Sequence, residues 1–567
     1  MNPASDDEIP IRSGGGRSPL FWILVPAMAG IFCARIFSVN HPIAFSLSGL
    51  AFSSAAIALS LKKSQWRFDE GTWALATLLS GFLLFWAYGS LRMRDKEKWC
   101  DGLPFREVTM DMKIETSYPP DQWERQRGIA IIVSAPEIQG YLVGQKVLFR
   151  VNDEFPVRTD ATVRVKGLVQ RLPCNFPEYD SAHADSFRHW LAGREIYFEF
   201  KRGHVVGEIA PPSAFFKAMK KARGWMRRKL FEGSDKMPEI RAIVPAMLLG
   251  EKSLLSPEEK DLFRMTGMMH LFAVSGLHVG LVALILEITL AAMRIGRRTR
   301  IVASLCALLG YVLVIGAPPS AVRAFLMIAF YRIGTLTGRP AKGLPSLVAS
   351  AIAVLVYDPA QLFDAGARLS YGIVASIILY GIPLGNLLRE KLPLYDDLPR
   401  ISRKRRHRFM LAARDRIADT IGVTFGAFAI AAPLSIQYFG IFSPGSVLLN
   451  ILMIPVALLS ATAAVLCTLV SVVALIPGLA WISTVGTFFN FAGWTCAWEM
   501  KELVETISGI PFLFFKIGYP TSWCGTFATV AILTLTVLLR SKEVRDNLTW
   551  MLVPTIALAG TVALAAL

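Results

Sequence analysis

Residues 269–281, MHLFAVSGLHVGL, place two histidines, a serine and two glycines in a stretch that is otherwise apolar enough to enter a bilayer. Polar groups at membrane depth are costly and usually mark a function. On a helix, Ser275 and His278 share one face, and Gly276 and Gly280 have the small-xxx-small spacing that lets a second backbone approach closely. The stretch therefore predicts a packed interior helix of a transport or catalytic core.

The composition of the whole chain is that of a polytopic membrane protein. Of its 567 residues, 53% are hydrophobic and only 18% are charged, and the mean hydropathy is +0.45. A soluble chain of this length carries more charge. The formal net charge of +17 indicates either ordinary positive-inside topology or an anionic partner, such as lipid headgroups or nucleic acid.

The N-terminal part of the chain predicts three transmembrane helices. Residues 1–19 are polar, and three apolar runs follow within residues 20–94, which argues against a cleaved signal peptide. Lys62, Lys63 and Arg67 lie between the second and third runs, whereas the first connection has no Lys or Arg. The positive-inside rule therefore predicts a cytoplasmic N-terminus and a chain that emerges outside after the third run.

Residues 95–211 change to the period-two alternation of β-strands, as in residues 162–167 and 195–200. About five or six short strands in such a length suit a small antiparallel barrel, of which the OB-fold is one. The topology predicts that this OB-like domain is extracytoplasmic. There Cys100 and Cys174 could form a disulfide, but the sequence does not place them within bonding distance.

Residues 212–265 combine a basic amphipathic stretch with a short apolar one. In residues 215–231, FFKAMKKARGWMRRKLF, cations alternate with apolar side chains as in a helix on a headgroup surface, with a nucleic-acid contact as the alternative. The apolar run 240–249 is too short to cross a bilayer, and Ser256 and Glu259 have capping-box spacing. We expect an interfacial helix followed by a re-entrant segment.

Residues 266–567 hold the remaining apolar runs, which bring the total to about a dozen by the twenty-residue criterion. Four arginines within residues 294–300 follow the opening stretch, so its span is predicted to run from outside to inside. The basic loop 388–416 should also be cytoplasmic. It is either a topology determinant or a contact for a phosphate backbone or a cytoplasmic partner.

Further polar residues fall at membrane depth or at its edge. Arg323 follows a Pro-Pro pair, Asp364 and Arg368 have the i,i+4 spacing of an ion pair, and Asn450 interrupts a later apolar run. Irregular backbone with ionisable groups is typical of cavity walls. Its polar groups are tolerated in a membrane only where protein or water forms hydrogen bonds with them. Internal salt bridges and kinks are the alternative, but together these residues favour an aqueous path.

Four motifs occur in order: LLGEKSLLSPEEKDLFRMTGMMHLFAVSGLHVGL, GAPPSAVRAFLM, DPAQLFDAGARLSYG and NILMIP. Over residues 242–455 they resemble the ComEC family of competence DNA-uptake channels, and residues 175–196 are similar to the OB-containing region of that family. The resemblance implies an inner-membrane channel that passes single-stranded DNA from the periplasm to the cytoplasm during transformation. The predicted channel-lining or core-motif residues are His270, Ser275, Gly276, His278, Gly280, Arg323, Asp364, Arg368, Ser370 and Asn450.

Two departures from the family pattern shape the expected partners. The sequence has no HxHxDH-type motif of a C-terminal metallo-β-lactamase-like domain, so we expect no metal or cofactor and a separate nuclease. Arg368 stands where the family commonly has Gln. The sequence also lacks a Walker A motif, which predicts that a cytoplasmic motor or helicase powers import. Periplasmic DNA-delivery proteins and membrane lipids complete the expected partners.

Two other functions remain open. An intramembrane hydrolase would use Ser275 as nucleophile and His278 as base, but the two lie on one helix and no GxSxG or HExxH motif is present. A small-molecule or lipid transporter has only the general polytopic architecture in its favour. The sequence therefore favours a channel without enzymatic activity.

Overall fold

The computed structural model describes residues 20–37, 42–61, 70–92, 106–118, 125–152, 157–172, 196–234, 239–338, 342–395, 403–521 and 523–538, and a few single positions between and after them. The chain divides into two compact units. One comprises Met1–Arg94 with Lys342–Leu362, and the other comprises Asp95–Ala341 with Phe363–Leu567.

The α-helices are numbered in chain order over the described residues. They are α1 (Phe21–Ile36), α2 (Pro42–Leu61), α3 (Glu70–Arg92), α4 (Ala214–Phe231), α5 (Ile243–Leu249), α6 (Pro257–Met265), α7 (Gly276–Ala292), α8 (Arg297–Val314), α9 (Pro319–Leu336), α10 (Gly343–Tyr357), α11 (Ala365–Ser376), α12 (Ile382–Lys391), α13 (Arg405–Phe439), α14 (Gly445–Val473), α15 (Ser483–Ser508) and α16 (Cys524–Leu538).

The first unit packs α1 and α2 against α3 and joins α10 to them from later in the chain. The Tyr88 hydroxyl of α3 donates to the carbonyl of Val356 over 2.6 Å. This bond satisfies one of the carbonyls that the C-terminal turn of α10 leaves without an intrahelical partner. Residues 342–362 therefore group with the N-terminal helices, although the sequence analysis assigned them to the channel core.

The β-rich segment is a closed five-stranded barrel. Its strands are β1 (Arg106–Tyr118), β2 (Gln126–Ser134), β3 (Lys146–Val151), β4 (Thr162–Arg171) and β5 (Ile196–Ala210), in the order β1-β2-β3-β5-β4. Every pairing is antiparallel except β3 with β5, which is parallel. Alternate side chains of β4 are buried, which confirms the period-two prediction.

The barrel is joined to α4 by a capped turn. Ser213 is the N-cap of α4, and its backbone N–H donates to the Asp160 carboxylate over 3.0 Å. Lys113 lies 3.1 Å from the same carboxylate. The Ser213 hydrogen bonds and then the Lys113 charge lower the pKa of Asp160 below its ordinary value, because they favour its ionised form.

The helical part of the second unit is built around a short buried helix. All seven residues of α5 are buried, and all except Pro245 belong to one apolar cluster with Trp494 of α15. The helix ends at Gly250, whose φ of +71° is readily adopted only by glycine. The predicted short apolar run therefore forms a core helix of the protein.

Five helical segments among the described residues are long and apolar enough to cross a membrane. They lie at 75–92, 268–292, 365–391, 405–439 and 445–473, and three further apolar helices are shorter. The sequence criterion predicted about a dozen. Part of the difference arises because α8 and α9 are only 18 residues long and carry three and two arginines, which lower their hydropathy.

Both ends of the basic segment 388–416 are helical. Helix α12 continues to Lys391 and α13 begins at Arg405, so both helices extend into the predicted loop. Arg389 forms ion pairs with Asp415 and Asp419 across the two helices. The basic stretch has strong helix formers between its arginines, which favours these helices. The exposed cross-helix pairs add little stability.

A close backbone approach joins α12 and α13. A π-helical turn ends at Gly381, where an added Cβ would lie 2.7 Å from the carbonyl oxygen of Gly422. A Cβ on Gly426 would lie 2.9 Å from the Cα of Gly381. At Gly280, by contrast, an added Cβ meets nothing within 4 Å. The structure thus places the small-residue approach on α13 rather than at residue 280.

The predicted pairing of Cys100 with Cys174 concerns residues outside the described part of the chain. Cys33, Cys306, Cys467, Cys496 and Cys524 are described, and all five are free thiols.

We expect Gly426→Ala to destabilise the protein by about 1 to 3 kcal/mol, because the new methyl group forces two packed backbones apart. Gly280→Ala is the matched control. It should be neutral or stabilising by about 0.5 to 1 kcal/mol, since alanine favours a helix over glycine. Thermal unfolding in detergent measures both, and equal effects would contradict the assigned packing.

Candidate functional site

The opening motif forms a helix start rather than one continuous helix, so the predicted helix over residues 269–281 was wrong. A short 3-10 turn (Met268–Leu271) follows Gly267, and α7 begins only at Gly276. Ser275 between them is extended, with φ −88° and ψ 165°, and is the N-cap. Serine favours this position because its side chain competes with the backbone for hydrogen bonds.

His278 occupies the place that glutamate takes in a capping box. Its Nδ1 accepts a hydrogen bond from the Ser275 backbone N–H over 3.4 Å and lies 3.2 Å from the Ser275 hydroxyl. When Nδ1 accepts, the neutral ring carries its proton on Nε2. His278 is 1% exposed, and its Nε2 has no hydrogen-bond partner among the described residues. The ring therefore leaves one buried donor unused.

Helix α9 begins against the start of α7. Its Pro319 occupies the first helical position, where a missing N–H costs nothing. The Ser320 hydroxyl donates to the carbonyl of Val274 over 2.8 Å. A Cβ on Gly276 would lie 3.6 Å from the Cβ of Ala324, an ordinary van der Waals contact. These two contacts hold the first turns of α7 and α9 together.

Arg323 lies one turn into α9 and is only 4% exposed. Its Nη2 donates to the carbonyl of Gly366 over 3.0 Å. Its Nε and Nη1 have no hydrogen-bond partner among the described residues. A buried guanidinium that uses only part of its donor set is costly, and such groups occur where a ligand or water completes the set.

The first turn of α11 completes the site. Asp364 is its N-cap, and the carboxylate accepts from the backbone N–H of Ala367 over 2.8 Å. A Cβ on Gly366 would lie 3.1 Å from Asp364 Oδ2 and 3.5 Å from Arg323 Nη2. Glycine at 366 therefore leaves room for the guanidinium beside the helix start, with the Asp364 carboxylate as its electrostatic partner.

Arg368, one turn further along α11, belongs to a second cluster. Its Nη1 donates to the Tyr438 hydroxyl and to Thr526 Oγ1, each over 2.9 Å. Its guanidinium also lies 5.7 Å from the ring centre of Phe363 and 5.8 Å from that of Trp523, both within the cation–π range. The ion pair with Asp364 that the i,i+4 spacing suggests stays a prediction.

The other predicted residues lie apart from Arg323 along their own elements. His270 is exposed in the 3-10 turn, and its Nδ1–H donates to the carbonyl of Gly267. Ser370 is half-buried on α11, and Gly280 lies one turn beyond Gly276 on α7. Asn450 is on α14, and its Oδ1 is buried without a hydrogen-bond partner in the described part of the chain. The contacts bring together the starts of α7, α9 and α11.

Contacts of α9 thus join the starts of α7 and α11 to its own first turns, which carry the buried Arg323. The first turns of α7 and α9 contain no acidic residue, so their partial positive charges add to that of Arg323. The Asp364 carboxylate offsets part of this charge. An anionic group is the ligand that such an arrangement favours. No group of three or more His, Cys, Asp or Glu side chains that could hold a metal occurs among the described residues.

The sequence analysis missed two residues on which the site depends. Ser320 and Gly366 both lie inside motifs that were recognised, but their small size drew no attention. Their positions in the sequence could have indicated a role, because Ser320 directly follows Pro319 and Gly366 lies two residues after the N-cap Asp364. The partners of Arg368 had no signal, since Tyr438 and Thr526 are 70 and 158 residues away along the chain.

We expect Ser320→Ala to lower the free energy of unfolding by about 1 to 3 kcal/mol, because it leaves the buried Val274 carbonyl without its donor. Ser346→Ala removes a similar bond to Lys342 at an exposed site and should change stability by less than about 0.5 kcal/mol. Unfolding in detergent compares the two. Equal losses would show that the bond between α9 and Val274 contributes no more to the free energy of unfolding than an exposed bond does.

Comparison with known proteins gives three relatives over parts of the chain. ComE operon protein 3 of Bacillus subtilis (strain 168) is 27% identical over 198 residues, which are 35% of this chain and 25% of that protein. Competence protein ComA of Neisseria gonorrhoeae is 33% identical over 144 residues, 24% of this chain and 21% of that protein. The uncharacterized protein YcaI of Escherichia coli (strain K12) is 27% identical over 146 residues, which are 24% of this chain and 19% of that protein.

The matched segments span about a quarter or less of these relatives. No solved structure matches the chain. The family profile described as "Competence protein" matches residues 247–542, which is just over half of the chain and includes the starts of α7, α9 and α11. The chain therefore belongs to the competence protein family.

Proposed function

We propose that this chain is an inner-membrane channel that passes single-stranded DNA into the cytoplasm during natural transformation. The observation that carries the proposal is the buried, partly unpaired guanidinium of Arg323, which is bonded to the start of α11. The helix that carries it, α9, is also bonded through Ser320 to Val274, just before α7. A DNA strand presents one phosphate anion per nucleotide, and positive helix ends bind phosphates without reading sequence. Membership of the competence family supports the same function.

In this proposal the barrel is the domain that first binds the incoming DNA strand. Its closed five-stranded order and its single parallel pairing, between β3 and β5, support the proposal that the barrel is OB-like. OB-like domains hold single strands with basic and aromatic groups, largely without sequence preference. We place this domain on the outer, periplasmic side, where periplasmic DNA-delivery proteins would hand over the strand.

The charge of the strand sets a condition on transport. Moving each phosphate inward against an interior-negative potential costs about 2.3 kcal/mol per 100 mV. The sequence contains no Walker A motif, so import in the cell needs a separate cytoplasmic motor or helicase. Degradation of the second strand, if it accompanies import, is the work of another protein in this proposal.

Arg323→Gln should reduce the flux of labelled single-stranded DNA into vesicles that contain the purified protein by about tenfold or more, because it removes the cation at the helix starts. The vesicle interior is held positive, so that the potential drives the anionic strand inward. Arg298→Gln, which changes an exposed arginine in the first turn of α8, is the control and should change flux little.

Flux of small anions without any flux of DNA in the wild type would contradict the proposal and favour a small-molecule transporter. Equal losses in the two variants would show that general surface charge, rather than the site at Arg323, controls entry. Unfolding in detergent should confirm that both variants fold.

The distance of 3.2 Å between Ser275 Oγ and His278 Nδ1 is the one observation that favours an intramembrane hydrolase. Two features weigh against that function. The same Nδ1 also accepts from the Ser275 backbone, as a helix cap requires. No third side chain orients the imidazole through Nε2 among the described residues. The pair is therefore better explained as a cap.

We expect Ser275→Asn to keep DNA uptake within about twofold of the wild type, because asparagine caps a helix as well as serine does. Ser275→Leu should reduce the stability by about 1 kcal/mol through loss of the cap. A nucleophile cannot be replaced by an amide. Loss of function in the asparagine variant at normal protein abundance would therefore favour the hydrolase function.

A further inference from the structure

A second cationic feature lies outside the site at Arg323. An open cavity of about 580 Å³ lies where the C-terminal half of α4 meets the segment before α5. Its walls include Gly224, Arg227, Arg228, Phe231 and Arg241. Three arginines around one aromatic ring form an anion-binding surface with an apolar side.

The three arginines do not share the same partners. Arg227 lies 3.5 Å from the Glu251 carboxylate, and its guanidinium lies 5.6 Å from the ring centre of Phe231. Glu251 is also bound by Arg223 over 3.1 Å, so its charge is already shared between two cations. Over the described ranges, Arg228 and Arg241 have no acidic partner. Two exposed guanidiniums therefore face the cavity with their charge unbalanced.

The cavity is held in shape by a fixed helix end. The Asn490 side-chain amide of α15 donates to the carbonyls of Lys229 and Leu230, over 2.7 and 3.2 Å. Asn490 and Leu230 are buried. The last turn of α4 is thus tied to the helical core by hydrogen bonds that satisfy its free carbonyls. A preformed site loses less free energy on binding than a mobile one.

The N-terminal half of α4 is uncovered. Phe215 and Phe216 are 50% and 43% exposed, and Lys217, Lys220 and Lys221 around them are exposed as well. Aromatic rings interleaved with lysines on an uncovered helix are typical of a segment at the membrane interface. Such a helix presents the cavity of its C-terminal half to lipid headgroups.

We propose that the cavity binds the phosphate of an anionic phospholipid, with Arg228 and Arg241 as the binding cations. The charge of the cavity requires an anion, and guanidiniums bind phosphate oxygens in pairs. The exposed rings of the same helix require an apolar neighbour, which an acyl chain supplies and a free phosphate ion does not. The site would couple α4, and through it the barrel, to the composition of the membrane. It is independent of the proposed path of DNA.

The test measures binding of phosphatidylglycerol to the purified full chain in detergent by native mass spectrometry. Phosphatidylcholine, inorganic phosphate and a single-stranded oligonucleotide serve as competing probes. In the wild type, phosphatidylglycerol should bind in preference to phosphatidylcholine. Arg228→Gln with Arg241→Gln should weaken its binding by about tenfold or more.

Two further variants separate a site from diffuse attraction. Lys217→Gln with Lys220→Gln removes the same charge from α4 outside the cavity and should change binding by less than about twofold. Gly224→Leu keeps the charge and fills the cavity, since an added Cβ there meets only Arg228 Nη1 at 3.8 Å, and it should weaken binding like the arginine pair.

Three results would overturn the inference. Equal losses in the arginine and lysine pairs would show general surface attraction. Displacement of the lipid by millimolar inorganic phosphate would show a site for a free anion. Binding of the oligonucleotide, with loss in the arginine pair and no preference for phosphatidylglycerol, would assign the cavity to the nucleic acid.

Discussion

The hydrogen bond from Arg323 to the carbonyl of Gly366 is the contact on which the candidate site depends. A buried guanidinium is tolerated only where its charge is balanced, and here a carboxylate and a carbonyl at the start of α11 balance it in part. The same helix that carries Arg323 is bonded to Val274 at the start of α7. One arginine and one serine on α9 thus join the starts of three helices.

This arrangement relates the sequence to the proposed transport function. Irregular backbone is stable inside a membrane protein only when its polar groups are satisfied, and the caps at Ser275 and Asp364 satisfy them. At these helix starts, Arg323 and His278 keep buried donors that have no hydrogen-bond partner among the described residues. A site with spare donors and positive helix ends suits a passing anion better than it suits a covalent reaction. The barrel supplies a separate surface that would receive the strand first.

Patterns that depend on neighbours in sequence predicted the structure well, and those that depend on distant partners did not. Alternation predicted the barrel strands, and the spacing of Ser256 and Glu259 predicted a capping box that the structure confirms. The helix over residues 269–281 was wrong because Gly267 and Ser275 adopt non-helical conformations, and a histidine in place of glutamate hid the cap. The partners of Arg323 and Arg368 come from other helices, and only the fold reveals them.

Cross-linking of a strand arrested in transit tests the central claim most directly. A photoreactive residue at Leu277, exposed in the first turn of α7, is compared with one at Leu284, exposed further along the same helix. A bulky group on the trailing end of the DNA holds the strand in place. The account predicts adducts with DNA at 277 and few at 284. Adducts at 284 together with none at 277 would show that the strand takes another route.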